Sequence, residues 1–486
     1  MNESLFPGLP PEIDAQVRER NLTGNSYAKF ACVLQVGSGG APFAAAFASR
    51  RRVAGLTAND ASVITLAGGS AAVNVRQLPD TTFAVHERIR NALTKVGWQP
   101  GMQLAVDLRP DCGSAREKAE IAYCALSAAA SLPRIGKDKS NRRQIPVRIC
   151  GLRDGSLTDI IRARARANHL ARWLAALPGN LLTPARLIEL ATSAGQQHGL
   201  ESKLLSIADL IKIGAGAFTA VTGREGSGGL LRLTWQPARK RPLAKIALVG
   251  KGVTFDTGGV NVKPHRHMLT MHADMAGAAA CLAATCAAAR LNLPLHIDCW
   301  LAVADNRIFR HAYAPADVVQ AADKTTIEIV HSDAEGRMLL ADALCLASRR
   351  RPGTIVSMAT LTGSMVSALG TRMSGVLANN ERVLASALAA GNNCGERLVA
   401  FPIAQDYEAA LESKIADIRQ CPVSGDADHI AAALLLKRFV GKRNWLHVDL
   451  AASHHQGGLG AIADSHTGFG ASWAVQWLAD LAKAAR

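Results

Sequence analysis

Residues 246–280 read IALVGKGVTFDTGGVNVKPHRHMLTMHADMAGAAA. Ile246–Gly250 is a short apolar run of the kind that forms a buried strand. The polar, glycine-containing passage after it carries Lys251, Asp256, Gly258-Gly259, Lys263 and Asp274. A helix rich in small residues is expected next, over Met271–Arg290. The pattern repeats downstream, with strands expected over Leu295–Ala304, Thr326–Val330, Thr354–Ala359 and Trp445–Leu450 and a helix over Gly336–Arg350. Strands alternating with helices imply parallel pairing through right-handed crossovers. The expected fold is therefore α/β, with a central mostly parallel or mixed sheet flanked by helices. In such sheets ligands bind beyond the carboxyl ends of the strands.

A second polar passage, HSDAEGRMLLADAL at 331–344, follows the expected strand Thr326–Val330 and supplies Asp333, Glu335 and Arg337. Both passages should reach the same sheet edge, bringing Asp256, Asp274, Asp333 and Glu335 into one cleft. Four carboxylates cannot all stay ionised in a desolvated site without compensation. Two divalent cations would neutralise them. Lys251, Lys263 and Arg337 could do so as ordinary salt bridges, and spacing alone does not choose between these readings.

Toward the amino terminus the signals are sparser. Phe30–Val36 and Ala61–Leu66 read as strands and Glu117–Ala130 as an alanine-rich helix, so a further α/β unit is expected. Thr158–Leu177 reads as a basic helix stopped by Pro178-Gly179. Its arginines 162, 164, 166 and 172 are expected on a solvated face. The whole chain has 486 residues, a prior of about three domains, with 49% hydrophobic and 19% charged residues. That composition allows a large core and argues against disorder. The longest run of small apolar residues, Ala276–Ala289, is too short to cross a bilayer, and the opening MNESLFPGLPPEID lacks the pattern of a signal peptide. The ten cysteines contain no CxxC pair, so they read as buried thiols of a reducing compartment rather than a zinc ribbon or disulfide framework.

Net charge is +16. Residues 1–250 hold 33 Lys and Arg against 18 Asp and Glu, whereas the remainder is nearly balanced. A basic front half is compatible with a polyanionic partner or with a merely basic surface.

Other motifs carry less. Gly214-Ala215-Gly216 lacks the third glycine of a dinucleotide fingerprint, Gly226–Gly229 is not a P-loop, and Gly363-Ser364-Met365 is not a nucleophile elbow. His265, His267 and His272 are read as loop and helix-start residues rather than a metal cluster. His454 and His455 are expected in a mobile glycine-rich loop.

KGVTFDTGG with Lys263 and Asp274-Met275, together with SDAEGRMLLADAL, resembles the leucyl aminopeptidase (cytosol aminopeptidase) family. The likeness continues through PGNLLTPARL, ATLTGSMVSALG, DYEAALESKIADI and WLHVDLA, over roughly residues 170–475. It implies an N-terminal α/β domain over 1–157, a linking helix over 158–180 and a catalytic domain over 181–486. It also implies two zinc, manganese or magnesium ions, with Asp256 and Glu335 bridging, Asp333 completing the exchangeable site, and Lys251 and Asp274 the tighter one. Lys263 is implied to stabilise the oxyanion. Arg337 is implied to hold a bicarbonate that acts as base toward a metal-bridged water, whose hydroxide attacks the peptide. Met271, Thr360, Gly363 and Ala451 would line the pocket for the first side chain.

The resemblance further implies peptide substrates with a free amino terminus, a cytoplasmic homohexamer and no membrane association. Bacterial relatives that bind DNA make a DNA-binding or architectural role the alternative, carried by the basic front half. A catalytically silent paralogue is disfavoured, because every ligand position, Lys263 and Arg337 are retained. His272, His331 and Asn306-Arg307-Ile308-Phe309 depart from the family pattern, and the histidines are positioned to tune pH response or metal preference.

Overall fold

The structure is a computed structural model and describes residues 8–18, 32–36, 62–65, 71–75, 81–95, 103–108, 110, 113–136, 145–153, 155–238, 241–309 and 312–485. Two large sheets organise these residues. The first has six strands in the order Ala15–Arg18, Val147–Cys150, Leu104–Leu108, Cys32–Val36, Ala71–Val75 and Ser62–Thr65. All its pairings are parallel except the last. Thr82–Thr94 and Ala115–Ala129 are its helices among the described residues. Ser114 and Glu117 form a reciprocal capping box at the start of the second helix, each satisfying a backbone N–H of the other. The α/β expectation for this part of the chain is met.

The second sheet has eight strands in the order Leu398–Ala400, Ser374–Ala378, Asn444–Asp449, Thr354–Ala359, Ala244–Asp256, Leu295–Asn306, Gly229–Trp235 and Glu201–Ser206. Its four central strands are mutually parallel, and antiparallel pairings flank them. It is a mixed sheet. Apolar clusters cover both faces, one packed around Ala276–Arg290 and Ala471–Ala484, the other around Glu335–Arg349 and Asp428–Arg438. The helix Ala276–Arg290 lies unusually close to the sheet. A Cβ on Gly250 would come within 2.6 Å of Ala278 Cα, and one on Gly277 within 2.1 Å of the Met358 carbonyl oxygen.

Three expectations are corrected. Thr326–Glu328 is not in the central sheet; it pairs with Val318–Gln320 and Ile418–Arg419 in a separate three-stranded sheet. The helix expected over Met271–Arg290 starts at Ala276, preceded by a 3-10 turn at Met271–Ala273. Finally, the basic helix, observed at Ser156–Ala175, does not present all its arginines to solvent: Arg164 and Arg172 are buried.

Arg164 holds Glu120 through Nη1 at 2.6 Å and Nη2 at 3.0 Å, and its Nε donates to Ser472 Oγ at 2.9 Å. Arg172 pairs with Asp464 at 2.9 Å. Burial works against an ionised Glu120, but Arg164 and His86 outweigh it and hold the carboxyl at about 2. These partners tie the N-terminal helix Ala115–Ala129 to elements around the large sheet.

Candidate metal centre

The carboxyl ends of the four central strands share one edge. Asp256 and Asn306 end neighbouring strands and are register partners, as are Ala359 and Asp449. Lys251 and Asp256 lie five residues apart on one strand, which in an unbroken pleat points their side chains to opposite faces. The register shifts between Ala304, opposite Val253, and Asn306, opposite Asp256. Three steps on one strand therefore face two on the other, and this bulge restores Lys251 and Asp256 to one side.

Asp333 and Glu335 reach the same place from the small sheet. Ser332 joins the two polar passages. Its Oγ donates to the Gly258 carbonyl at 2.6 Å and accepts from Asn261 N–H at 2.8 Å. Gly258 and Gly259 have φ of +89° and +64°, a left-handed pair that turns the chain back over the cleft. His331 Nδ1 accepts from the Asp333 backbone N–H at 3.2 Å and so caps the 3-10 turn Ser332–Ala334. That bond requires Nδ1 to be unprotonated, and burial together with Lys263 holds the ring's pKa down.

Asp256, Asp333 and Glu335 each offer an oxygen within 4.8 Å of the others'. Lys263 Nζ lies 2.8 Å from Asp256 and also touches Asp333. Lys251 Nζ lies 2.8 Å from Asp274 and 2.7 Å from Glu335, and donates to the Thr360 carbonyl at 3.1 Å. Burial raises the pKa of Asp274 and Asp333, with further upward pressure from their acidic neighbours. Burial opposes the charge on Lys251, yet Asp274, Glu335 and Asp256 together raise its pKa.

Sequence reading missed several groups that position these acids. Asn306 Nδ2 donates to Asp256 Oδ1 at 2.8 Å and to the Ser332 carbonyl at 3.1 Å. Thr360, expected to line a substrate pocket, directs Oγ1 onto Asp274 Oδ1 at 2.6 Å. Of the other expected pocket residues, Gly363 opens the helix Gly363–Leu369, which packs on the turn Ala451–Ser453, while Met271–Ala273 packs on the strand Ala244–Asp256. The loop holding His454 and His455 is pinned rather than loose: His455 N–H donates to the Ser465 carbonyl at 2.8 Å, and His455 Nδ1 pairs with Thr371 Oγ1 at 2.7 Å.

The donor set fits divalent cations. Asp274 Oδ2, Asp333 Oδ1 and Glu335 Oε1 are buried without a well-directed hydrogen bond among the described residues, although each lies beside a lysine ammonium. Arg337 is different. Its guanidinium is buried and engages Asp428 at both outer nitrogens, at 2.8 and 2.6 Å. Asp428 already fills the outer fork that a bicarbonate would take, so that fork does not fit the ion expected at Arg337, while Arg337 Nε–H is left without a partner among the described residues.

A mixed α/β sheet thus carries at its carboxyl edge a buried nest of carboxylates and lysines, a donor set able to hold divalent cations. The chain belongs to the cytosol aminopeptidase family, whose catalytic-domain profile matches residues 169–475. Similar curated proteins include a probable cytosol aminopeptidase of Gloeobacter violaceus, 38% identical over 288 residues, covering 59% of this chain and 57% of that protein. Another, from Corynebacterium glutamicum, is 38% identical over 318 residues, covering 65% and 63%. The chain thus spans roughly three fifths of the length of these curated relatives.

Among solved structures, the bottromycin maturation enzyme BotP in complex with Mn has a TM-score of 0.80 at 29% identity, covering 97% of this chain and all of that one. The apo leucyl aminopeptidase of Trypanosoma cruzi, at 23% identity, shares the fold with a TM-score of 0.82, covering 99% of this chain and 98% of that one. Among the described residues, no helix is long and apolar enough to cross a membrane.

Proposed function

We propose that this protein is a metal-dependent exopeptidase that removes single N-terminal residues from peptides. The observation that carries this reading is the convergence of Asp256, Asp274, Asp333 and Glu335 with Lys251 and Lys263 at one sheet edge. Asp256 and Glu335 would bridge two ions, Asp333 would complete the exchangeable site, and Lys251 and Asp274 the tighter one. Carboxylate oxygens and a single amine suit manganese, zinc or magnesium, and manganese is the ion named with BotP. Such ions, when bound, would supply Lewis acidity and lower the pKa of a water.

The chain's own groups do the rest. Asn306 and Thr360 fix the rotamers of Asp256 and Asp274 by hydrogen bonds to their oxygens. Lys263, the more exposed of the two lysines, is placed to meet the scissile carbonyl and stabilise its developing negative charge. The substrate's free α-amine is recognised on the Asp333 side, which restricts cleavage to the first residue. Met271, Thr360, Gly363 and Ala451 border the pocket for that residue. No step is routed through bicarbonate. The same reading carries the division into 1–157, 158–180 and 181–486, a cytoplasmic setting and a homohexamer.

The test is hydrolysis of a panel of aminoacyl amides by manganese- or zinc-loaded protein, with and without chelator. Hydrolysis that the chelator abolishes supports the reading. Turnover unchanged after exhaustive chelation, or none on any amide, sinks it.

A further inference from the structure

We infer that Asp428 is a built-in counter-anion for Arg337, so that turnover by this chain does not depend on bicarbonate. The inference rests on the aminopeptidase reading and concerns how that site is completed.

The Arg337–Asp428 contact is a fork-to-fork pair, with Nη1 on Oδ1 at 2.8 Å and Nη2 on Oδ2 at 2.6 Å. This geometry fills the outer edge of the guanidinium with a planar two-oxygen anion and offsets its charge; on the inner edge only Nε–H is left without a partner among the described residues. Nη1 also donates to the Gln420 carbonyl at 3.3 Å. The Arg337 side chain is 1% exposed, against 21% for Asp428. The pair is therefore held inside the protein rather than forming by chance on its surface.

The backbone places Asp428 deliberately. It is the first residue of the helix Asp428–Arg438, where a carboxylate is favoured by the unpaired N–H groups and the positive end of the dipole. Ala427, just before it, has φ +48°, a conformation costly for a residue with a Cβ and kept only where surrounding contacts enforce it. The next residue is pinned as well. His429 N–H donates to Ser364 Oγ at 2.9 Å, His429 Nδ1 pairs with the same hydroxyl at 2.9 Å, and its ring meets Phe401 edge-on at 4.8 Å. Ser364 lies on the helix Gly363–Leu369, which borders the proposed pocket.

Arg337 follows Glu335 by two residues on the helix Glu335–Arg349, and its charge is felt by both Asp428 and Glu335. A free ion fills such a fork only in proportion to its concentration; a carboxylate on the chain fills it permanently. Asp428 is thus a positioning residue. It fixes Arg337 and keeps two acceptor oxygens at a set place beside the nest.

The experiment uses full-length, manganese-loaded protein in carbon-dioxide-free buffer, with kcat measured before and after adding bicarbonate. The native protein should be indifferent to the ion. Asp428→Ala should lose about 10- to 100-fold, as outer partners of metal sites do, and recover when bicarbonate or acetate refills the fork. Carbon-13 NMR of labelled bicarbonate with the diamagnetic zinc-loaded proteins gives a readout independent of turnover: the signal should broaden with Asp428→Ala and not with the native protein.

A native protein that loses turnover without bicarbonate and regains it on addition would overturn the inference while leaving the peptidase reading intact. So would equal broadening by both proteins. Should Asp428→Ala fail to fold, the native protein's response to bicarbonate decides the matter alone. Failure of the native protein to hydrolyse any amide in any buffer would instead remove the peptidase reading itself.

Discussion

Lys263 Nζ stands 2.8 Å from Asp256 Oδ2, with Asp333 on its other side. The ammonium thus lies between two carboxylates that come from different polar passages, and two charges offset the one. Asp256 is also held by Asn306 and by the Gly258 N–H at 2.8 Å, so its place does not depend on Lys263. The two residues should separate experimentally. Lys263→Ala should retain the metal ions and lose about a hundred- to a thousand-fold in kcat, the usual cost of one oxyanion donor. Asp256→Ala should lose the ions. Elemental analysis with steady-state kinetics decides; near-normal turnover by Lys263→Ala would remove its assignment.

Asn306 is the amide that orients the nest, and it touches Asp256, Ser332 and Glu335. Asn306→Ala removes one hydrogen bond from each of two carboxylates and leaves the Ser332 carbonyl to Tyr313 OH alone. Metal affinity should fall about 10- to 100-fold, measured by competition with a chromogenic chelator. An unchanged dissociation constant would show that the acids are positioned without it.

Metal loading should release protons. Lys251 must lose its proton to donate a lone pair, and its acidic neighbours raise its pKa despite burial. Burial raises Asp274 as well. With pKa values raised in the metal-free protein, lowering the pH favours the protonated forms that compete with the ions, so affinity should climb as pH rises. Calorimetric titrations in two buffers of different ionisation enthalpy count the protons, and a count of zero would contradict this electrostatic picture.

The Glu120–Arg164 pair is a matter of stability rather than catalysis. Glu120→Ala leaves a guanidinium buried without its carboxylate, a loss of about 3–5 kcal/mol, visible as a lower denaturant midpoint. Because the folded Glu120 pKa is about 2 against an ordinary 4.5, its contribution is complete above 4.5 and fades as pH falls toward 2. Glu120→Gln should flatten that part of the stability profile. An identical acid dependence in both proteins would show that the pair is not responsible.

The strand–helix alternation and both acid-bearing passages could be read from the chain, because apolar runs and polar breaks are local patterns. What escaped depends on partners far apart in sequence. Arg164 and Arg172 read as solvated because Glu120 and Asp464 lie 44 and 292 residues away. Asp428 sits 91 residues beyond Arg337, at the start of the helix Asp428–Arg438, and nothing local marks it as that arginine's partner. The strand expected to stop at Gly250 continues to Asp256, since Gly250 marks the passage of a helix rather than a strand end. The strand Thr326–Glu328 looks like its neighbours in composition, and its pairings with Val318–Gln320 and Ile418–Arg419 place it in another sheet.

The contact of Gly250 and Gly277 with backbone on the facing element limits how this protein can diversify. Helix and sheet already meet main chain to main chain there, beneath Lys251 and just past Asp274. The floor of the nest therefore cannot sink, nor its walls spread, by exchanging side chains at that contact. Under the peptidase reading, any drift toward bulkier or differently charged substrates has to come from side chains away from that contact, such as His272, His454 and His466, whose ring centroids lie 5.4–5.5 Å apart in successive pairs. Selection can vary those residues one by one while the helix–sheet contact stays fixed.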